Sequence, residues 1–186
     1  PGLELHGGIE MGALGAERFW FFPTLAWINS SDGFLRGICA LGILASLTLA
    51  FDLLAAPSLI LAWVCYLSLF TIGQHFLSFQ WDSLLLEVGF LAISLPFSPT
   101  LGVWLFRWLL FRLMFLSGAV KLLSGDASWH DLTALWYHFQ TQPLPTIFAW
   151  YAHQLPGWFL KFAAFLMFII ELCAPFFFFG SRNPRL

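Results

Sequence analysis

Charged residues are scarce in this sequence. Lysine, arginine, aspartate and glutamate together account for 10% of its 186 residues. Soluble domains carry about 25% charged residues, so an ordinary water-soluble domain is excluded. The net charge is −2, and the chain therefore has no basic surface that could attract nucleic acid.

Cysteine is also rare, and common catalytic motifs are missing. Cys39, Cys65 and Cys173 are scattered through apolar stretches and form neither a CxxC pair nor a zinc-ligand spacing. The five histidines match no metal or haem pattern. The sequence also lacks a GxSxG elbow, a Walker loop and an HExxH motif. We therefore expect no metal and no cofactor.

Apolar residues dominate what remains. They make up 60% of the chain, and the mean hydropathy is +0.82. They form five segments, at about 34–54, 57–73, 79–95, 101–123 and 158–179. A spanning helix needs about 20 apolar residues, so the second and third segments are marginal. Because these segments lack the alternation of a barrel strand, we predict an all-α, polytopic transmembrane bundle with short interfacial amphipathic helices.

The polar stretches divide the chain into four regions. Residues 1–33 are expected to form an interfacial loop and helix, and residues 34–123 four membrane segments. Residues 124–156 are predicted to form an extramembrane aromatic loop with two short helices, near 131–139 and 146–153. Residues 157–180 are predicted to form a final membrane helix.

Charged side chains within the apolar segments are the main candidates for a site. Ionising a side chain at mid-membrane costs roughly 3 kcal/mol or more, so such residues usually face a bundle interior and have a partner. Glu87 and Arg112 lie near the middle of their segments, and we predict that they pair, with Glu171 as the alternative partner for Arg112. Gln80, Ser83 and Glu87 fall on one helical face. The whole predicted intramembrane polar network is Gln80, Asp82, Ser83, Glu87, Arg107, Arg112 and Glu171. Such a network either holds helices together through structural ion pairs or lines a groove for a substrate, proton or cofactor.

Lys121 has two interpretations. A desolvated lysine can lose its proton and act as a base, which makes Lys121 a candidate catalytic residue. Alternatively, it is a helix-end lysine that extends to lipid headgroups, which is the commoner situation.

Several sequence blocks resemble the lipase maturation factor family. The resemblance covers most of the chain. The blocks are Ser78–Glu87 (SFQWDSLLLE), Phe111–Leu122 (FRLMFLSGAVKL), Asp131–Leu135 (DLTAL), Tyr137–Phe139 (YHF), Thr141–Pro145 (TQPLP) and Glu171–Pro175 (ELCAP).

The resemblance implies a polytopic membrane protein that helps dimeric secreted lipases to fold and assemble. Its location would be the endoplasmic reticulum membrane in a eukaryote, or the plasma membrane in a bacterium. It also implies an N-terminal membrane helix and a soluble C-terminal domain that this sequence does not include, so we expect a fragment. Its partners would be membrane lipid and a secreted lipase client.

A shorter stretch resembles the vitamin K-dependent carboxylase and its bacterial relatives. Gly118–Leu122, followed by Trp129, is similar to their membrane-embedded lysine region, in which a lysine serves as the base. Lys121 matches that lysine. Val120, however, stands where the carboxylase has another lysine.

Two functions therefore remain open. In the first, a chaperone-like membrane protein holds a client on its aromatic loop, with Trp129, Tyr137, His138, Gln142, Trp150 and His153 as the contact candidates. In the second, the protein is a membrane enzyme or a quinone-type redox module with an intramembrane Glu/Arg/Lys site. An intramembrane pocket lined by those charged residues would favour the second function.

Overall fold

A computed structural model describes residues 15, 17–142 and 146–180 of this chain. Within these residues every regular element is a helix and there is no strand. The prediction of an all-α membrane bundle is thus confirmed. The chain divides into two compact units, Pro1–Val103 and Trp104–Leu186.

The first unit is built on two long apolar helices. Its elements are α1 (Arg18–Phe21), a 3-10 helix (Leu25–Trp27), α2 (Asp32–Ala50), α3 (Ala55–Gly73), a 3-10 helix (Gln74–Leu77), α4 (Gln80–Ala92) and the start of α5 (Pro99–Leu123). The Ser31 hydroxyl accepts a hydrogen bond from the Phe34 amide at 3.4 Å, so α2 begins at the predicted helix-start signal. A turn with left-handed backbone at Asp52 and Leu54 then reverses the chain into α3.

Small and hydroxylated side chains fill the contact between α2 and α3. A Cβ on Gly42 would lie 3.3 Å from that of Cys65, so the two backbones are close. On another part of α3, Ser68 is buried, and its hydroxyl accepts a hydrogen bond at 3.1 Å from the Leu25 amide of the 3-10 helix that precedes α2. The hydroxyls of Thr48 and Ser58 lie 2.8 Å apart. These hydrogen bonds supply partners to hydroxyl and amide groups that could not bond to water in an apolar environment.

The second unit contains the rest of α5 and four further α-helices among its described residues. These are α6 (Ala127–His130), α7 (Ala134–Thr141), α8 (Ile147–His153) and α9 (Gly157–Cys173), which continues as a 3-10 helix (Ala174–Phe179). Helices α5 and α9 run antiparallel, because Trp104 stacks on Phe179 near one end and Lys121 contacts Glu171 near the other. The side of α9 formed by Leu160, Ala164 and Phe168 is buried.

The helix lengths distinguish the spanning segments from the short ones. In the described part of the chain, four helices are long and apolar enough to cross a membrane, namely α2, α3, α5 and Gly157–Phe179. Helix α4 has 13 residues. At 1.5 Å per residue it is about 20 Å long, which is short of a hydrocarbon core of about 30 Å.

The region between α5 and α9 has one more helix than the sequence suggested. The predicted helix near 131–139 corresponds to α7, which runs from Ala134 to Thr141, and the additional helix is α6, which ends at His130. Leu132 separates them with a φ of 59°, which no helical residue adopts. The second predicted helix corresponds to α8, whose amide at Ala149 donates to the Thr146 hydroxyl at 3.3 Å.

Candidate functional site

The most distinctive polar group in the second unit is an ion pair between Lys121 and Glu171. The ammonium nitrogen Nζ of Lys121 lies 2.5 Å from Oε1 and 2.7 Å from Oε2 of Glu171. It also lies 3.2 Å from the hydroxyl of Ser117 and 3.8 Å from the sulfur of Met167. The two charged side chains are 21% and 18% exposed. Because both side chains are mostly shielded from water, their attraction is screened less than that of an ordinary surface ion pair.

Helical spacing explains why these side chains meet. Ser117 and Lys121 are four residues apart on α5, and Met167 and Glu171 are four residues apart on α9, so each pair shares one helical face. Gly118 allows the two helices to approach closely. A Cβ at Gly118 would lie 2.9 Å from a methyl carbon of Leu172 and 3.1 Å from Cβ of Glu171. This is the small-residue contact that membrane helices use.

Trp129 lies beside the ion pair. Its ring centroid is 5.4 Å from the Lys121 ammonium and 6.0 Å from the Phe168 ring. Helix α6 holds this tryptophan, and the carboxylate of Asp126 begins that helix by accepting the Ser128 amide at 2.9 Å. Hydrogen bonds from Ser128 lower the pKa of Asp126 below its ordinary value, which keeps this helix cap charged.

The arrangement balances its own charge. An ammonium has three protons, and here Glu171 and Ser117 accept them, while the tryptophan ring faces the cation. Lys121 therefore lies in an ion pair within the protein, rather than extending to headgroups as the commoner interpretation supposed. This geometry indicates a structural link between α5 and α9.

An open cavity of about 520 Å³ adjoins the pair. Leu113, Met114, Ala163, Leu166, Met167 and Ile170 provide its apolar walls, and Ser117 and Glu171 line it with polar atoms. The cavity has the volume and mostly apolar lining of a small-molecule site.

The polar residues predicted on α4 are not all turned inward. Asp82 is half-buried, and its carboxylate accepts hydrogen bonds from the Tyr66 hydroxyl at 3.0 Å and from the Phe79 amide at 3.2 Å. Ser83 is exposed and donates to the carbonyl of Gln80 at 2.9 Å, and Gln80 is exposed as well. Glu87 is half-buried. Of these four polar residues, Asp82 and Glu87 are therefore the two that are half-buried.

The predicted arginines lie on α5. The guanidinium of Arg107 lies 5.3 Å from the ring centroid of Trp104, and Arg112 is half-buried. Arg112 belongs to the second unit and Glu87 to the first, so their pairing stays a prediction. Glu171, the alternative partner predicted for Arg112, has its carboxylate against Lys121.

The six client-contact candidates differ in how they are placed. Tyr137 on α7 and Trp150 on α8 are exposed aromatic side chains, at 58% and 63%. His138 is exposed, and its Nε2 lies 2.5 Å from Nε2 of Gln142. His153 instead packs edge-on against Trp136 with its Nε2 3.0 Å from the amide nitrogen of Gln140. Trp129 also faces inward, toward Lys121.

Sequence reasoning missed three contributors to these sites. Ser117 could have been identified from its four-residue spacing to Lys121 on a predicted helix. Tyr66 and Met167 carry no local signal, because their roles depend on which helices pack together.

Comparisons with known proteins agree with the membrane architecture. A family model for the lipase maturation factor transmembrane domain matches residues 9–186. Lipase maturation factor 2 of Xenopus laevis is 49% identical over 215 residues, which covers 100% of this chain and 30% of the relative. Lipase maturation factor 2 of Gallus gallus is 47% identical over 194 residues, covering 91% of this chain and 27% of the relative.

More distant relatives agree with these matches. Lipase maturation factor 1 of Homo sapiens is 37% identical over 183 residues, covering 90% of this chain and 32% of the relative. The chain thus spans about a third or less of the length of these curated relatives. A search of solved structures found no match. The chain is an integral membrane protein and belongs to the lipase maturation factor family.

Proposed function

We propose that this chain is the membrane part of a maturation factor that assists the folding and assembly of a secreted client, such as a dimeric lipase, in the endoplasmic reticulum membrane. The observation that carries this proposal is the match to the lipase maturation factor transmembrane domain over residues 9–186. The names of the relatives identify lipase maturation as their role.

The surface of α7 and α8 supports the proposal. Tyr137 and Trp150 are well exposed, and aromatic side chains of this kind are enriched where proteins contact partners. His138 and Gln142 add polar groups beside them. This surface combines apolar area with hydrogen-bonding groups, which suits a partially folded client.

We expect Tyr137→Ala combined with Trp150→Ala to reduce secretion of active lipase. Loss of two aromatic contact residues typically costs an interface about 2 kcal/mol or more, or roughly a thirtyfold loss in affinity. The measurement is the activity of a co-expressed dimeric lipase in the medium, normalised to lipase protein, with the full-length maturation factor in cells that lack their own.

Phe177→Ala is the matched control, because Phe177 is 78% exposed but lies at the far end of the second unit, in the 3-10 helix that follows α9. Its lipase activity should stay at the wild-type level. If the control and the double variant lower activity equally, the surface of α7 and α8 has no specific role.

A second candidate function is supported by the cavity beside Glu171. A membrane enzyme or quinone-type redox module would need an apolar pocket with a few polar groups, and the cavity of about 520 Å³ has that composition. In this case Lys121 would exchange a proton with Glu171 or with a bound substrate.

The substitution Lys121→Arg separates the two functions. Arginine keeps the positive charge and can donate to Glu171, but it does not readily give up a proton. We expect full-length Lys121→Arg to fold and to retain at least about half of the lipase-maturing activity, because the ion pair survives. A well-folded variant with no activity would favour the enzyme.

A further inference from the structure

The cavity between α5 and α9 is elongated and mostly apolar. It lies within the second unit, between two of the candidate membrane spans. On α9 its wall runs from Ala163 to Glu171, a stretch that rises by about 12 Å. On α5 its wall runs from Ser117 back to Leu113, which is close to the middle of that helix. A long apolar wall of this kind suits a hydrocarbon chain better than a compact polar molecule.

Lipid can reach this cavity from the side. Leu113 on α5 and Leu166 on α9 both line it and are nevertheless exposed, so the cavity opens on the outer surface of the two helices. Around membrane-spanning helices that outer surface faces lipid chains. A lipid therefore enters the cavity directly from the bilayer.

The polar atoms at the cavity have already used their own donors. The Lys121 ammonium has three protons, and it contacts Oε1 and Oε2 of Glu171 at 2.5 and 2.7 Å and the Ser117 hydroxyl at 3.2 Å. The hydroxyl of Ser117 donates its single proton to Oε1 of Glu171 at 3.3 Å. Neither Lys121 nor Ser117 thus keeps a proton for a bound molecule.

These atoms do keep acceptor capacity. A carboxylate offers about four acceptor positions, and the bonds from Lys121 and Ser117 leave one at Oε2 of Glu171. The hydroxyl oxygen of Ser117 has two lone pairs and receives one bond from Lys121. The cavity therefore selects a molecule that donates a hydrogen bond.

The charge of the ion pair selects a neutral donor. Lys121 already compensates the negative charge of Glu171, so the net charge beside the cavity is zero. A cationic headgroup would add an uncompensated positive charge to a site that is largely shielded from water, and an anionic headgroup would be repelled by the carboxylate. A hydroxyl donates without either cost.

The ion pair lies at the level where lipids carry their polar groups. Helix α5 has 25 residues and rises by about 38 Å, so it can cross a hydrocarbon core of about 30 Å. Lys121 is near its end at Leu123, and Lys121 and Glu171 are therefore close to the membrane boundary. Leu113 lies deeper along the same helix, where an acyl chain belongs.

We propose that this cavity is a binding site for a neutral lipid with a free hydroxyl, of the diacylglycerol type. The lipid hydroxyl donates to the free acceptor positions of Glu171 and Ser117, and an acyl chain lies against the apolar walls. Binding of this kind requires no proton transfer at Lys121. It is also independent of the identity of the secreted client.

Photolabelling of the full-length protein tests the site. The protein is reconstituted in phosphatidylcholine nanodiscs with a diacylglycerol that carries a diazirine in one acyl chain, and mass spectrometry locates and quantifies the label after illumination. The comparison lipid is the same molecule with its hydroxyl converted to a methyl ether, which cannot donate. We expect diacylglycerol to label the peptides containing Met114 and Met167 about tenfold more than the ether does, because the ether loses a hydrogen bond to a carboxylate.

A substitution that fills the cavity tests its location. Ala163→Phe places a ring in the cavity, and we expect it to lower labelling of these two peptides about tenfold. Ile169→Phe is the matched control, because Ile169 is an exposed residue of α9 that does not line this cavity, and its labelling should equal that of the wild type. Leu166→Trp is a second filling variant at an exposed position, and circular dichroism checks that each variant is folded.

Two results would overturn the proposal. Equal labelling by diacylglycerol and its methyl ether would mean that the cavity does not recognise a hydroxyl. Labelling of folded Ala163→Phe and Leu166→Trp at the level of the wild type would mean that the lipid binds elsewhere. Neither result depends on lipase activity, so the test is separate from that of the client.

Discussion

Removing either partner of the Lys121–Glu171 pair should destabilise the protein more than removing any exposed charge. We expect Lys121→Ala or Glu171→Ala to lower the free energy of unfolding by about 3 kcal/mol, because each leaves a shielded and uncompensated charge between α5 and α9. The two side chains are 21% and 18% exposed, so water compensates only partly for the lost partner. Unfolding of detergent-solubilised protein in a denaturant series, followed by circular dichroism, measures the effect.

The control for this prediction is Lys161→Ala. Lys161 is exposed on the same helix as Glu171, so its removal should cost less than about 1 kcal/mol. The double variant Lys121→Met with Glu171→Leu should recover much of the loss, because both charges are then replaced by apolar groups of similar size. Additive losses in the double variant would show that the two residues do not act as a pair.

The predicted pair of Glu87 and Arg112 should respond in the same way. Both side chains are half-buried on helices in the membrane region, and we expect either alanine variant to lose about 3–5 kcal/mol of stability, with a lower yield of folded protein. Arg182→Ala and Arg185→Ala are the controls, because both arginines follow the last apolar segment of the sequence; they lie outside the described residues. Expression level and thermal stability in detergent provide the measurement.

A double-mutant cycle decides whether Glu87 and Arg112 contact each other. Glu87→Leu combined with Arg112→Met should be more stable than either single change if the two charges compensate one another. If the four single alanine variants show equal yield and stability, neither Glu87 nor Arg112 is held in a buried pair. The same cycle with Glu171 in place of Glu87 tests the alternative partner of Arg112.

The sequence was sufficient to predict the type of fold, because composition and segment length are local properties. The apolar runs that become α2, α3, α5 and α9 are visible without any knowledge of packing. The helix start at Ser31 could also be predicted, since a capping side chain acts within three residues. The break at Leu132 could not, because a left-handed backbone at leucine is stabilised by its surroundings and not by leucine itself.

The candidate site was only partly predictable for a similar reason. The position of Glu171 within an apolar segment predicted that its charge would be paired with another group. The position of Lys121 near the end of an apolar segment left two possible roles for it. Depth could not show that they pair, since that depends on the offset between α5 and α9. This offset places the end of one helix opposite the interior of the other, and Gly118 permits the close contact. Helix pairing of this kind is a property of the whole unit.

Co-purification tests most directly the proposal that the protein acts on a secreted client. The full-length protein is expressed with a dimeric secreted lipase, isolated in mild detergent, and examined by mass spectrometry for bound proteins and lipids. We predict that the newly made lipase is enriched with the wild-type protein and is reduced when Tyr137 and Trp150 are replaced by alanine. Recovery of an isoprenoid quinone with no enrichment of the lipase would contradict the claim and favour the enzyme.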